Sequence, residues 1–362
     1  MSARSLAARQ RIEYRIARAF SALPPRLQVR LSGGKPVVID GQTLEPDIQL
    51  ALALIERRGL PPMETLTPEQ ARKLTLSQSR GSQGPSVPVG AVGDLQVDGA
   101  TGPLPARHYA PAGFDGREPA ALLVFFHGGG FVVGGLDSHD LPCRLLCKHA
   151  GVHVLSVEYR KAPEFPLPAA YDDGEAAFAW AVEHAAELGA DPDRLGVGGD
   201  SAGATTSAVV AGRAARVGAR GPDFQLLLYP GADRGAGPRR RSRDLFAEGF
   251  FLTDPQINWF ENHFTAPGEG GLSLFDEDLA GQGAVYLVSA GFDPLRDEGE
   301  AYGEALRAAG NEVAMRRFEG QIHGFINFAG VSRSAREALI EIAGSTRVLL
   351  ARTDDRETAP LA

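Results

Sequence analysis

The stretch RLGVGGDSAGATTSAVVAGRAA, residues 194–215, changes character at its middle. Up to Gly199 it is small and aliphatic, as in a buried strand, and after Ser201 it is alanine-rich, as in a helix. Between the two lies Gly199-Asp200-Ser201-Ala202-Gly203, a Gly-x-Ser-x-Gly pentapeptide in the strand-turn-helix context that holds a serine at the tip of a sharp turn. Glycines flank such a serine because a β-carbon there would strike neighbouring backbone. The helix that follows adds the positive end of its dipole and a free N–H at Ala202. A serine so placed is either a nucleophile or an ordinary helix cap, and the rest of the chain must decide which.

A second stretch, ALLVFFHGGGFVVGG (residues 121–135), runs an apolar strand straight into His127 and three glycines. If Ser201 attacks a carbonyl, an oxyanion forms, and backbone N–H groups stabilise it only where side chains leave room. Gly129 and Gly130 supply such N–H groups, to be joined by that of Ala202. The competing reading is a flexible loop, but flexible loops rarely follow a buried strand without polar spacers. His127 reads as a residue that orients this loop rather than as a base.

A serine hydroxyl needs a base, and the base needs an acid to orient it. Among eight histidines, His323 in FEGQIHGFINF (318–328) sits directly after the last strand pattern with small, turn-forming neighbours. Asp293 in SAGFDPLRDEGE (289–300) follows the strand pattern AVYLVSAG and precedes Pro294; Asp297, in the first turn of the next helix, is its rival. The chain order Ser, Asp, His is that of the α/β-hydrolase fold.

Short aliphatic runs alternate with alanine-rich helical stretches from about residue 104 to 318, which predicts a mostly parallel sheet covered on both faces. Residues 1 to about 75 read as helical, with helices opening at TLEPDIQLALALIERRG and TLTPEQARKLTLSQ, and SRGSQGPSVPVGAVGD (79–94) reads as a linker. Residues 232–280 interrupt the alternation with helical signals and no strand pattern. We expect 1–85 to form a helical cap segment and linker and 86–362 the catalytic domain, with 232–280 an insertion that joins the cap over the carboxyl ends of the strands. Phe131, Phe246, Phe250, Phe251, Trp259 and Phe325 are candidate pocket walls, although aromatic residues are more often core.

The chain has 362 residues, 43% hydrophobic and 23% charged, and 37 basic against 45 acidic side chains give a formal charge of −8. That balance favours a globular domain acting on small neutral partners and argues against nucleic acid. No apolar run is long enough to span a bilayer, so no membrane insertion is expected. The arginine-rich start MSARSLAARQRIEYRIARAF lacks the apolar core of a secretory signal; Leu6, Ile12, Ile16 and Phe20 fit an amphipathic helix, and the expectation is a cytoplasmic protein. Cys143 and Cys147, four apart, read as small buried hydrophobes on one helix face. No metal-binding pattern is visible.

HGGGF, GDSAG, DPLRDEG and IHGF in this order, with VEYRKAPEFPLPAAYDD (157–173) beside the Y-R-x-A-P-E-x-P-x-P-A pattern, make the chain resemble the hormone-sensitive-lipase-like bacterial carboxylesterases. The resemblance implies an α/β-hydrolase fold with an eight-stranded, mostly parallel sheet, helices on both faces and a helical cap. It also implies Gly129, Gly130 and Ala202 as the oxyanion site, no cofactor, and hydrolysis of short- to medium-chain small-molecule esters. It leaves open an amidase or deacetylase with the same residues, a non-catalytic ligand-binding relative, and a homo-oligomer.

Overall fold

The computed structural model describes residues 12, 14–113, 119–233, 237–266 and 273–354. Within them a short hairpin, β1 (Val38–Ile39) and β2 (Gln42–Thr43), precedes an eight-stranded sheet. Its strands are β3 (Ala91–Gly99), β4 (Gly102–Ala110), β5 (Ala120–Phe126), β6 (His153–Val157), β7 (Ala190–Asp200), β8 (Phe224–Leu228), β9 (Ala284–Phe292) and β10 (Val313–Ile322). They lie in the order β10-β9-β8-β7-β5-β6-β4-β3, parallel except that β4 runs antiparallel to both its neighbours. This is the mostly parallel sheet that the alternation of strand and helix patterns predicts, with the eight strands of an α/β-hydrolase fold that the resemblance implies.

The continuous apolar run of β5 follows from burial on both faces. Leu122, Val124 and Phe126 pack into one layer, Ala121, Leu123 and Phe125 into the other. Helices α6 (Ala169–His184), α7 (Ala202–Val217) and α10 (Arg296–Ala308) cover the first layer; α5 (Asp140–Leu146) and α11 (Arg333–Asp354) cover the second. Cys143 and Cys147 lie in that second layer as buried free thiols. Among the described residues no helix is long and apolar enough to cross a membrane.

The N-terminal region holds the helical residues 14–21 (α1), then α2 (Pro25–Leu31), α3 (Pro46–Arg57) and α4 (Pro68–Gln83). The helix starts read from Thr and Pro are in place: Thr67 caps α4 and shares a capping box with Gln70. Asp47 on α3 accepts hydrogen bonds from the hydroxyls of Ser332 and Ser334 at the start of α11, which ties this region to the body. Leu6 lies outside the described residues; Ile12 and Ile16 are exposed. The β1–β2 hairpin interrupts what the sequence suggests is wholly helical. It docks beside β9 and β10, where Gly320 O accepts the Glu45 N–H.

The segment 79–94 is not a linker throughout. Its first five residues complete α4 and its last four begin β3. Strand β3 escapes notice because it is an edge strand whose side chains are mostly exposed, so no apolar alternation marks it. Within 232–280 the chain forms α8 (Arg241–Leu245) and α9 (Asp254–Phe264) between β8 and β9.

Candidate active site

Strand β7 ends at Asp200, and Ser201 takes φ 53°, ψ −121° before α7 begins at Ala202. This left-handed backbone is costly for a residue with a side chain and persists because its surroundings impose it. A β-carbon at Gly199 would stand 2.3 Å from the carbonyl oxygen of Phe126, and one at Gly203 only 1.9 Å from it. The two flanking glycines let β5 and the start of α7 come together. The Ser201 N–H donates to Leu228 O at 2.9 Å, so β8 holds the turn from the other side.

Ser201, Asp293 and His323 come from three distant parts of the chain and meet at the carboxyl ends of β7, β9 and β10. Ser201 Oγ lies 2.9 Å from His323 Nε2, and His323 Nδ1 lies 2.8 Å from Asp293 Oδ2. An acceptor-only carboxylate at Nδ1 places the ring proton there, which leaves Nε2 to accept from the serine hydroxyl. Asp293 is fully buried, and its other oxygen takes the Leu295 N–H at 2.7 Å. The Tyr229 ring lies 4.8 Å from that of His323 and bounds its position. Asp297 is engaged elsewhere: its side chain accepts the Ser242 N–H and the Arg296 guanidinium, and so fastens α8 to α10.

The HGGG loop reaches the same point. The N–H groups of Gly129, Gly130 and Ala202 enter no hydrogen bond among the described residues, whereas that of Gly128 donates to Asp200 Oδ1 at 2.8 Å. Gly130 has φ 55°, and a β-carbon on it would stand 2.3 Å from the Phe260 ring of α9. His127 is wholly buried; its Nδ1 pairs with Gly128 O at 2.8 Å, and its ring stacks on Tyr159 at 4.3 Å. Burial pushes this imidazole down to about 3, so it is neutral at ordinary pH.

Asp200 was visible only as the variable residue of the pentapeptide. Besides Gly128 it holds His139 Nε2, 3.1 Å from Oδ1, and both side chains are buried. Burial opposes ionisation of Asp200, but the His139 ring and the Gly128 N–H outweigh it and hold the carboxyl below its ordinary value. The signal was its place next to the serine, one residue from the turn.

A cavity of about 1450 Å³ opens over Ser201 and His323. Of the six aromatic candidates, Phe131, Phe250 and Phe251 line it. Phe246, Trp259 and Phe325 do not. Phe246 is sealed between Phe250, Phe292 and the Arg296 guanidinium, Trp259 packs on Phe260 and His263, and Phe325 lies under Tyr229 and Phe318. On α9 the cavity side is taken by Ile257, Phe260 and Phe264 instead. The α-helical N-terminal region contributes further apolar walls, including Leu50, Leu54 and Met63.

A family model described as alpha/beta hydrolase fold matches residues 123–327. The chain is 43% identical over 336 residues to the carboxylic ester hydrolase LipN of Mycobacterium tuberculosis, covering 89% of this chain and 87% of that protein. It is 34% identical to an ethyl acetate hydrolase of Pseudomonas putida, covering 83% and 97%. Among solved structures, a hyperthermophilic esterase from the archaeon Pyrobaculum calidifontis superposes with a TM-score of 0.79 at 31% identity, over 84% of this chain and 98% of that one.

Proposed function

Because the chain belongs to the hormone-sensitive-lipase-like branch of the α/β-hydrolase fold and is a serine carboxylesterase, we propose that its reaction runs through Ser201, His323 and Asp293. The observation that carries this assignment is the unbroken hydrogen-bond line from Ser201 Oγ through the His323 ring to Asp293. His323 Nε2 takes the hydroxyl proton as Ser201 Oγ attacks the ester carbonyl. The C–O bond to the alcohol then breaks, and the same proton passes to the departing oxygen. Water repeats the sequence on the acyl-enzyme: His323 takes a proton from it, and Ser201 leaves with that proton. Asp293 stays a carboxylate and balances the imidazolium. The N–H groups of Gly129, Gly130 and Ala202 receive the oxyanion in both halves.

The substrates are small-molecule esters, and the apolar cavity favours short- to medium-chain acyl groups. The N-terminal segment through residue 85 and the insertion 232–280 act as its cap. Support for this comes from the cavity walls, which combine α3, α4 and α9 with the ends of the strands.

The test is hydrolysis of p-nitrophenyl esters of rising chain length together with fluorophosphonate labelling. Wild type should turn over acetate to octanoate esters and carry the adduct on Ser201. Ser201→Ala should lose both, with kcat down by about 10⁶-fold. Equal turnover by the two proteins, or an adduct on another residue, rejects the assignment.

A further inference from the structure

Glu298 stands on the first turn of α10, in the cavity wall, and the hydrolytic mechanism makes no use of it. The residue is 5% exposed. Its Oε1 accepts the N–H groups of Ala232 at 2.8 Å and Asp233 at 3.4 Å, which locks the carboxyl in place. Its Oε2 makes no hydrogen bond among the described residues. Thr205, one helical turn beyond Ser201, belongs to the same wall; its hydroxyl donates to Gly231 O at 2.9 Å. A point at the β-carbon position of Gly231 lies 3.8 Å from both Thr205 Oγ1 and Glu298 Oε1, so the carboxyl and the Thr205 hydroxyl flank Gly231, and both residues line the cavity that holds Ser201.

The other groups around it are already engaged or apolar. Asp233 is held by Arg240, and Arg243 from α8 is held by Asp254 and Glu261. Leu295, Ile257 and Phe260 are apolar parts of the same cavity lining. Burial pushes the Glu298 carboxyl up to about 7, with Asp233 acting in the same direction and the two backbone N–H groups opposing. A fixed polar oxygen beside the apolar side chains of Leu295, Ile257 and Phe260 is the kind of group that selects and orients a ligand.

We propose that Glu298 is a specificity residue whose free oxygen hydrogen-bonds a hydroxyl group on the substrate, so that hydroxyl-bearing esters are the preferred class. A hydroxyl suits this carboxyl in either protonation state, since it accepts from the acid and donates to the carboxylate. A carboxylate on the substrate would be repelled by Asp233. A plain alkyl chain strips water from Oε2 and offers nothing in return.

The proposal rests on the esterase reading, and the experiment separates the two. Steady-state kinetics at pH 7 would compare two isosteric pairs: p-nitrophenyl 3-hydroxybutanoate against 3-methylbutanoate, and 2-hydroxyethyl butanoate against propyl butanoate. In wild type the hydroxyl member of at least one pair should be favoured by roughly tenfold in kcat/KM. Preference in the first pair puts the hydroxyl on the acyl side, and preference in the second puts it on the alcohol side. E298Q, which keeps a donor and an acceptor, should retain the preference, and E298M should bring that ratio close to one. A wild-type enzyme active on these esters but indifferent to the hydroxyl in both pairs overturns the proposal without any variant, as does an E298M enzyme with the wild-type ratio. A wild type inactive even on p-nitrophenyl acetate overturns the esterase reading and this inference with it.

Discussion

Asp200 and Glu298 are two buried carboxyls in the wall of the cavity that holds Ser201, and their surroundings drive them in opposite directions. Asp200 is stabilised as an anion by His139 and Gly128, and through Gly128 it fixes the strand end from which Gly129 and Gly130 project. Asp200→Ala leaves the Gly128 N–H and His139 without their partner. Its kcat should fall about ten- to a hundredfold through loss of loop position, with KM changed less than threefold. Stability should drop by about 3 kcal/mol. Asp200→Asn keeps an acceptor for Gly128 and should lose less kcat; equal losses in the two variants would count against a positioning role. For Glu298 the folded state holds the carboxyl up at about 7, above the ordinary 4.5, so folding favours the protonated form. The associated stability is complete below pH 4.5 and disappears as pH rises through 7. E298Q cannot ionise. The melting temperature of wild type relative to E298Q should therefore fall between pH 4.5 and pH 8, by the equivalent of up to about 3 kcal/mol. A constant difference across that range would show that Glu298 does not titrate as a buried acid.

The joint between β7 and α7 is the element on which the site depends, and sterics alone account for its glycines. Gly203→Ala drives a methyl group into the carbonyl of Phe126, backbone against backbone, where no side chain can yield. That variant should fail to give soluble folded protein. Gly344→Ala, within α11 and with nothing near its β-carbon position, is the contrasting case and should raise stability by up to about 1 kcal/mol. Comparable melting temperatures for the two variants would contradict this account. The same local physics made β5, β9 and the second half of β7 readable from sequence, because strand segments buried on both faces are filled mainly with small and apolar side chains. Strand β3 was unreadable for the converse reason: at the sheet edge most of its side chains meet solvent, and Gly93 and Asp94 look like loop residues.

For the molecule as a whole, the N-terminal region is joined to the body by both buried apolar packing, with Leu44 and Ile48 in the second core layer, and polar contacts. Arg72 on α4 donates to the carbonyls of Val132 and Ala162 and pairs with Glu164, so that one side chain links the N-terminal helices to both the segment following the HGGG loop and the connection between β6 and α6. Its partner Glu164 is half exposed, and the ion pair by itself contributes little. Arg72→Ala should thus lower the melting temperature by only about 2 to 4 °C. KM for p-nitrophenyl octanoate should rise roughly threefold or more, while kcat for the acetate ester stays within about twofold. An unchanged KM for the long ester would mean that α4 does not shape the cavity.

The sequence by itself determined the alternation of strand and helix, the turn that presents Ser201, and Asp293 and His323 at strand ends, because each depends on short-range sterics and on burial patterns that repeat along the chain. Only the tertiary structure decided which aromatic rings face the cavity. Phe260 and Trp259 are neighbours of similar composition on α9, yet Phe260 lies against Gly130 while Trp259 turns to His263. It also decided that Asp200 clamps a glycine 72 positions away and that Glu298 keeps one oxygen free. A carboxyl acquires its partners and its affinity for a proton from groups contributed by other segments, and those distances do not exist until the chain has folded.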